Sequence, residues 1–167
     1  MIDVVLLAEQ DWPNADWHSL AQGAVAAALA ASPQAELTTS PASIEVSIRL
    51  TSDDQVQTLN RQYRQQDKPT NVLSFPMVQP DLIEGLANTD DGEILLGDIV
   101  LAQGTCTREA AARGVSVEDH ATHLIVHGVL HLLGHDHMTD AEANAMEAIE
   151  QVAMAALGLH DPYRLED

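Results

Sequence analysis

Four segments in the first two thirds of the chain have the hydrophobic pattern of β-strands. Over residues 44–50 the even positions are apolar and the odd positions are polar, which predicts a strand with one buried face. Apolar runs at 2–7 and 93–101 predict two further strands. A short strand is predicted at 72–78, where Pro76 indicates a position at the edge of the sheet.

Helical signals separate these strands and then dominate the end of the chain. Together they predict an α+β fold, in which residues 1–167 form one domain with a small mixed sheet and about five helices. A long central helix carries most of the histidines, and turn formers at 79–92 predict a surface loop. The predicted helices are 14–31, 53–64 after a cap at Ser52 or Asp53, 103–112 closed by Gly114, Ser116–Leu133 closed by Gly134, and a last helix that is capped by Thr139 and ends at Gly158.

Composition narrows the class of protein. Only 3% of the 167 residues are aromatic, so the core must consist mainly of Ala, Leu, Val and Ile. Cys106 is the only cysteine, which excludes an internal disulfide. No apolar run is long enough to cross a membrane, and residues 1–9 do not resemble a signal peptide. These features favour a cytoplasmic protein without a membrane partner.

The formal net charge of −19 changes the expectation about partners. Such a chain should repel nucleic acid at long range. An RNA-binding function would therefore need a small basic cleft together with docking on a larger particle, or a cell with a high-salt interior. The charge does not predict the oligomeric state.

Candidate chemistry is concentrated between residues 120 and 137, where six of the eight histidines lie. Residues four apart share a helix face with Cβ atoms roughly 5–6 Å apart, so His127 and His131 can bind one metal ion. Gly134 allows a sharp turn, after which His137 can return as a third ligand. Three imidazoles leave a fourth position for water, as is typical of catalytic zinc sites, although nickel, copper and cobalt accept the same ligands.

The neighbouring histidines have competing interpretations. A single histidine on a helix is usually a packing or surface residue, and this is the preferred interpretation of His120 and His123. The alternative is contact with a metal ligand or with substrate, and it is stronger for His123. His135 also follows Gly134, and spacing alone does not choose between His135 and His137 as the third ligand.

The spacing of the three histidines also matches that of the metzincin proteases, except at one position. Those proteases carry a general-base Glu immediately after the first histidine, where this chain has Gly128. Because glycine cannot accept a proton from water, peptide hydrolysis by that mechanism is disfavoured.

The motifs resemble those of the YbeY family of bacterial rRNA-maturation endoribonucleases. The resemblance extends from about residue 43 onward, and its departure is His135, where the family usually has Tyr. The matching segments are HGVLHLLGHDH at 127–137, LNRQYR at 59–64, DKPTNVLSFP at 67–76 and LGDIV at 96–100.

The resemblance implies one zinc ion held by His127, His131 and His137, and a functional Arg64. It further implies single-strand-specific cleavage of RNA in 16S rRNA 3′-end maturation and ribosome quality control. The implied partners are single-stranded rRNA and the small ribosomal subunit with its assembly factors.

The implied reaction agrees in part with the residues present. Cleavage of a phosphodiester needs an activated nucleophile, either water or a 2′-OH, and a cation near the phosphate oxygens. Zinc supplies the first, and Arg64 supplies the second because a guanidinium binds phosphate in a bidentate fork. Without the resemblance, Arg64 would be interpreted as a solvated helix residue with Lys68 nearby.

Three polar residues near these motifs are further candidates for a structural or functional role. Asp98 interrupts an apolar strand, and a hydrogen-bonded structural carboxylate is the preferred interpretation. The alternative is support of a ligand histidine. Asn71 and Ser74 are candidates for the lining of the cleft.

Two other classes of function remain open. The chain could be a ribosome-assembly binding factor whose metal is structural, in which case a fourth protein ligand such as His135 is expected. It could also be a zinc hydrolase of another substrate, with a protease disfavoured by Gly128.

Overall fold

A computed structural model describes residues 2–9, 11–79, 82 and 93–163. Its four strands form one mixed sheet in the order β1-β2-β4-β3. Strands β1, β2 and β4 are parallel, and β3 is antiparallel to β4. The strands are β1 (Ile2–Ala8), β2 (Ser43–Thr51), β3 (Val72–Pro76) and β4 (Glu93–Ala102).

Within the described ranges, five α-helices and a short 3-10 helix at Ala35–Thr39 accompany the sheet. The predicted α+β fold with about five helices is therefore confirmed. None of the described helices is long and apolar enough to span a bilayer. The helices are α1 (Trp17–Ala31), α2 (Asp53–Arg64), α3 (Gln103–Arg113), α4 (Val117–Leu132) and α5 (Asp140–Ala156).

The strand predictions hold closely. The apolar positions of β2 are buried, with Ile44, Val46 and Leu50 each 0% exposed. β3 lies at the end of the strand order, as Pro76 indicated, and it ends at that proline instead of continuing to residue 78. Most of the predicted loop at 79–92 lies outside the described residues.

Side-chain caps define where the helices begin. Ser52 accepts a hydrogen bond from the backbone N–H of Gln55, and Ser116 accepts one from that of Asp119. Helix α1 begins three residues later than predicted, because the side chain of Asp16 accepts from Ser19 N and makes Asp16 the cap.

The helices divide between the two faces of the sheet. The larger core packs α1, α4 and α5 against one face and consists mainly of Ala, Leu, Val and Ile, with buried Trp12 and Trp17 as additions. A smaller cluster on the other face joins Val56 of α2 to Leu73 and Val100. The histidine-bearing helix α4 is thus held between the sheet and neighbouring helices.

Candidate metal centre

Two glycines allow α4 to lie directly against the sheet. A Cβ atom at Gly128 would lie 3.0 Å from Ile99 Cγ2 and 3.1 Å from Ser74 Oγ. Gly97, which has a φ of +155°, lies under the end of the helix, where its Cβ would be 2.6 Å from a methyl carbon of Leu132. The position occupied by the general-base Glu in metzincins is therefore packed against β3 and β4.

Three imidazoles meet at the C-terminal end of α4. Nε2 of His127 and Nε2 of His131 lie 3.0 Å apart. One ring nitrogen from each of His127, His131 and His137 lies within 4.8 Å of the other two. His137 is exposed, whereas the other two side chains are half-buried. The structure thus brings together the three residues that the sequence nominated, and they could hold a metal ion.

The turn after α4 places His137. Gly134 has a φ of +94°, which favours glycine. Gly134 N–H donates to the carbonyl of His131, and His135 N–H donates to that of Leu130, both at 3.0 Å. This pairing is the Schellman motif, which reverses the chain at a helix end. As a result, His137 returns toward the helix face that carries His127 and His131.

The donor set fits a transition-metal ion. Two nitrogens that share a tetrahedral zinc ion at about 2.0–2.1 Å are roughly 3.3 Å apart, close to the separation of His127 and His131. Burial, assisted by the neighbouring His127 and His137, lowers the pKa of His131 to about 4. The ring is therefore neutral near pH 7, which is the form that binds metal.

A buried carboxylate supports this cluster, and sequence reasoning missed it. Glu150 of α5 is 1% exposed, and its Oε1 accepts hydrogen bonds from His123 Nε2 at 2.9 Å and from His127 Nδ1 at 3.0 Å. Its Oε2 accepts from the hydroxyl of Tyr163 at 2.7 Å. The sequence spacing could have indicated its burial, because Glu150 lies on the buried face of α5, four residues from both Met146 and Met154.

Glu150 remains ionised despite its burial. Burial by itself raises the pKa of this carboxyl, but hydrogen bonds from His123 and His127 outweigh it and lower the pKa to about 2. The side chain therefore acts as an acceptor toward all of its partners at neutral pH.

The other two histidines of the segment are engaged elsewhere. His120 is 1% exposed, and its Nε2 lies 2.8 Å from Oε1 of Glu109. His135 Nε2 lies 3.0 Å from Oε1 of Gln34. In the part of the chain that the structure describes, the cluster of potential ligands contains His137 and not His135.

Arg64 lies at the end of α2, beside strand β3. Its Nη2 donates to the carbonyl oxygen of Ser74 at 3.0 Å, while the hydroxyl of Ser74 faces Gly128. Two successive contacts thus connect Arg64 to the helix that carries the histidines. Within residues 2–9, 11–79, 82 and 93–163, no carboxylate lies within ion-pairing distance of Arg64, in contrast to Arg61, which lies 3.7 Å from Asp67.

Asp98 does not support a ligand histidine. Successive side chains of a strand point to opposite faces, so Ile99 packs under α4 while Asp98 faces the other side. There Asp98 is exposed and lines a groove of about 660 Å³ with Tyr63 and Phe75. Glu150 makes the hydrogen bond to a ligand histidine that was considered for Asp98.

The two candidate cleft residues have different surroundings. Ser74 is 5% exposed and faces Gly128, so it adjoins the histidine cluster. Asn71 instead donates to Glu109 at 3.1 Å, and Glu109 is in turn bound to His120. Asn71 therefore belongs to a polar group at the other end of α4.

Comparison with known proteins matches this chain to a family. The family described as Endoribonuclease YbeY matches residues 8–158. A Rhizorhabdus wittichii protein named Endoribonuclease YbeY is 62% identical, over 100% of this chain and 99% of its own length. A Sphingopyxis alaskensis protein of the same name is 59% identical over 100% of both chains.

A solved structure shares the fold. The solution structure of TM1509 from Thermotoga maritima aligns with a TM-score of 0.55 at 20% identity, over 99% of this chain and 100% of that one. The match across residues 8–158 and the identity to full-length relatives confirm the resemblance found in the motifs, and the chain belongs to the YbeY family.

Proposed function

We propose that this protein is a cytoplasmic, metal-dependent endoribonuclease that cuts single-stranded RNA in 16S rRNA 3′-end maturation and ribosome quality control. The proposal treats residues 1–167 as one functional domain. The observation that carries it is the convergence of three imidazole nitrogens within 4.8 Å, in a chain whose full-length relatives are named as endoribonucleases.

His127, His131 and His137 are proposed to hold one zinc ion. When bound, such an ion supplies a Lewis acid that lowers the pKa of water toward 7 and polarises a phosphoryl oxygen. The nucleophile is then water or a 2′-OH of the RNA. Among the described residues the three imidazoles leave a coordination position for these groups, because His135 is bonded to Gln34.

Arg64 is proposed to stabilise the charge that develops on the phosphate. Its guanidinium is exposed and is anchored by one hydrogen bond to Ser74, so its other N–H groups can bind phosphate oxygens. Among the described residues it has no ion-pair partner, so its charge is available to a ligand. Lys68, which is also exposed, adds charge near the same helix end.

The acidic surface limits how the RNA is reached. With a net charge of −19, free RNA is repelled at long range, so productive encounters need a local basic cleft and a docking partner. We propose the small ribosomal subunit and its assembly factors as that partner.

The competing functions are a structural metal in an assembly factor and hydrolysis of another substrate. A structural zinc site is normally closed by four protein ligands, whereas the cluster found among the described residues has three. At Gly128 a Cβ atom would crowd Ile99 and Ser74 at 3.0–3.1 Å, so a Glu there would require these neighbours to shift, which disfavours a metzincin-type protease.

The proposal is tested by comparing the wild type with His131→Ala on single-stranded and duplex rRNA fragments, with the metal content measured in both. We expect about one zinc per wild-type chain and cleavage of single strands only, with both properties lost in the variant. Equal cleavage by both proteins would assign the activity to a contaminant. Metal binding without cleavage would favour the assembly-factor function.

A further inference from the structure

Glu150 is the one acidic side chain that is buried among the residues the structure describes. Placing an ionised carboxylate in a protein core is costly unless several hydrogen bonds compensate for the lost water. Here three donors surround it, and none of them is a lysine or arginine. An apolar residue at this position of α5 would fill the core at a lower cost, so the carboxylate serves another purpose.

The contact with Glu150 determines which ring nitrogen of His127 carries a hydrogen. An ionised carboxylate only accepts, so Nδ1 of His127 must carry the hydrogen in the 3.0 Å contact with Glu150. In a neutral imidazole the other nitrogen, Nε2, then carries the lone pair. That Nε2 is the atom that lies 3.0 Å from Nε2 of His131.

Two further residues hold the carboxylate in place. His123 donates to the same oxygen as His127, and Tyr163 donates to the other oxygen. The rings of His123 and Tyr163 also contact each other edge to face, with centroids 5.6 Å apart. Nδ1 of His123 has no partner in the described part of the chain, so the bond to Glu150 is the one polar contact of that ring.

We infer that Glu150 is a positioning residue of the metal centre: held by His123 and Tyr163, its carboxylate selects the Nδ1–H tautomer of His127 and directs Nε2 toward the ion. This inference rests on the proposed metal site. It also gives a role to the segment after α5, which carries Tyr163. Next to Tyr163, the carbonyl oxygen of Pro162 accepts a hydrogen bond from Arg113 at 2.8 Å.

The first test measures zinc affinity by chelator competition in Glu150→Gln, with Glu109→Gln as the matched control. Oε1 of Glu109 lies 2.8 Å from Nε2 of His120, which is on the same helix as His127. That pair does not contact a ligand histidine. We expect Glu150→Gln to weaken zinc binding by roughly 10–100-fold, the usual effect of losing a partner of a ligand histidine. Zinc affinity should be unchanged in Glu109→Gln.

A purely structural role for Glu150 would give another result. Affinity would then be equal in folded wild type and folded Glu150→Gln, or it would fall equally in both variants, and either outcome overturns the inference. Tyr163→Phe removes only the hydroxyl that the half-exposed Tyr163 donates to Glu150. It should weaken zinc binding less than Glu150→Gln does.

The second test uses the metal-free wild type and needs no variant to fold. The ¹⁵N shifts of the His127 ring should report a hydrogen on Nδ1, and a predominant Nε2–H tautomer would overturn the inference. Because this readout requires neither zinc nor RNA, it separates failure of this inference from failure of the proposed nuclease function.

Discussion

The hydroxyl oxygen of Ser74 would lie 3.1 Å from a Cβ atom at Gly128, so strand β3 and helix α4 approach more closely than a side chain at this position would comfortably allow. Ile99 closes the same space from β4 at 3.0 Å. The residue immediately after His127 is therefore fixed by packing against the sheet. The same contact links the strand that anchors Arg64 to the helix that carries the candidate metal ligands.

Gly128→Glu should destabilise the protein and should not create a protease. The new carboxylate would be buried without a partner, which typically costs about 3–5 kcal/mol of unfolding free energy. Chemical denaturation measures the loss. The control is Ala141→Glu, which adds the same charge at an exposed position and should stay within about 0.5 kcal/mol of the wild type. A fully stable Gly128→Glu would contradict the packing described here.

Arg64→Ala should lower the rate of RNA cleavage by roughly 10²–10³-fold, as the loss of one donor to a developing charge commonly does. Stability should change little because the side chain is exposed. Arg61→Ala is the control, since it removes the same charge from the same helix but from an arginine near Asp67. Steady-state cleavage of a single-stranded substrate measures both, and equal losses would show that only net charge matters.

His120 should make the metal-free protein sensitive to acid. Burial lowers the pKa of this ring, and the hydrogen bond that it donates to Glu109 only partly offsets that effect. His123 and Arg113 also face the ring and lower its pKa further. Between the folded pKa and 6.5 the unfolded chain binds more protons, so stability is lost as pH falls below 6.5.

His120→Gln should therefore flatten the decline of Tm over this acidic range, relative to wild type. The measurement is thermal unfolding of metal-free protein at a series of pH values between neutral and mildly acidic. An unchanged slope in the variant would assign the acid sensitivity to other groups, such as His160, whose pKa burial also lowers.

Salt should affect cleavage of free RNA in two phases. A modest rise screens the repulsion from a net charge of −19 over a Debye length of about 10 Å at 0.1 M, so the rate should first increase. Further salt weakens the contacts of Arg64 and Lys68 with phosphate, so the rate should then fall. Initial rates across a salt series measure the profile, and a decline from the lowest salt onward would exclude long-range repulsion as the limit.

Local features of the chain were predictable because they depend on backbone geometry alone. The i, i+4 spacing of His127 and His131 follows from the helical period, and the turn that returns His137 follows from the conformation available to Gly134. The strand at 44–50 was predictable from its alternation, which requires one buried face. These elements could be predicted without knowing which distant segments of the chain pack against them.

Long-range partners were decided only by the tertiary structure. Glu150 reaches His127 from 23 residues away, and Gln34 binds His135 across 101 residues. For Asp98 the role that Glu150 fills was only the alternative to a structural carboxylate, and the apolar strand around it did not reveal which face of the sheet the side chain would take. The sequence by itself thus determined the pairing of His127 with His131 and the turn at Gly134, through short-range backbone periodicity. It did not decide between His135 and His137, which the tertiary structure separates by binding His135 to Gln34. The packing of α5 and β3 on α4 decided which side chains surround the candidate ligand histidines. Such contacts depend on the summed burial of apolar faces that are far apart in the chain.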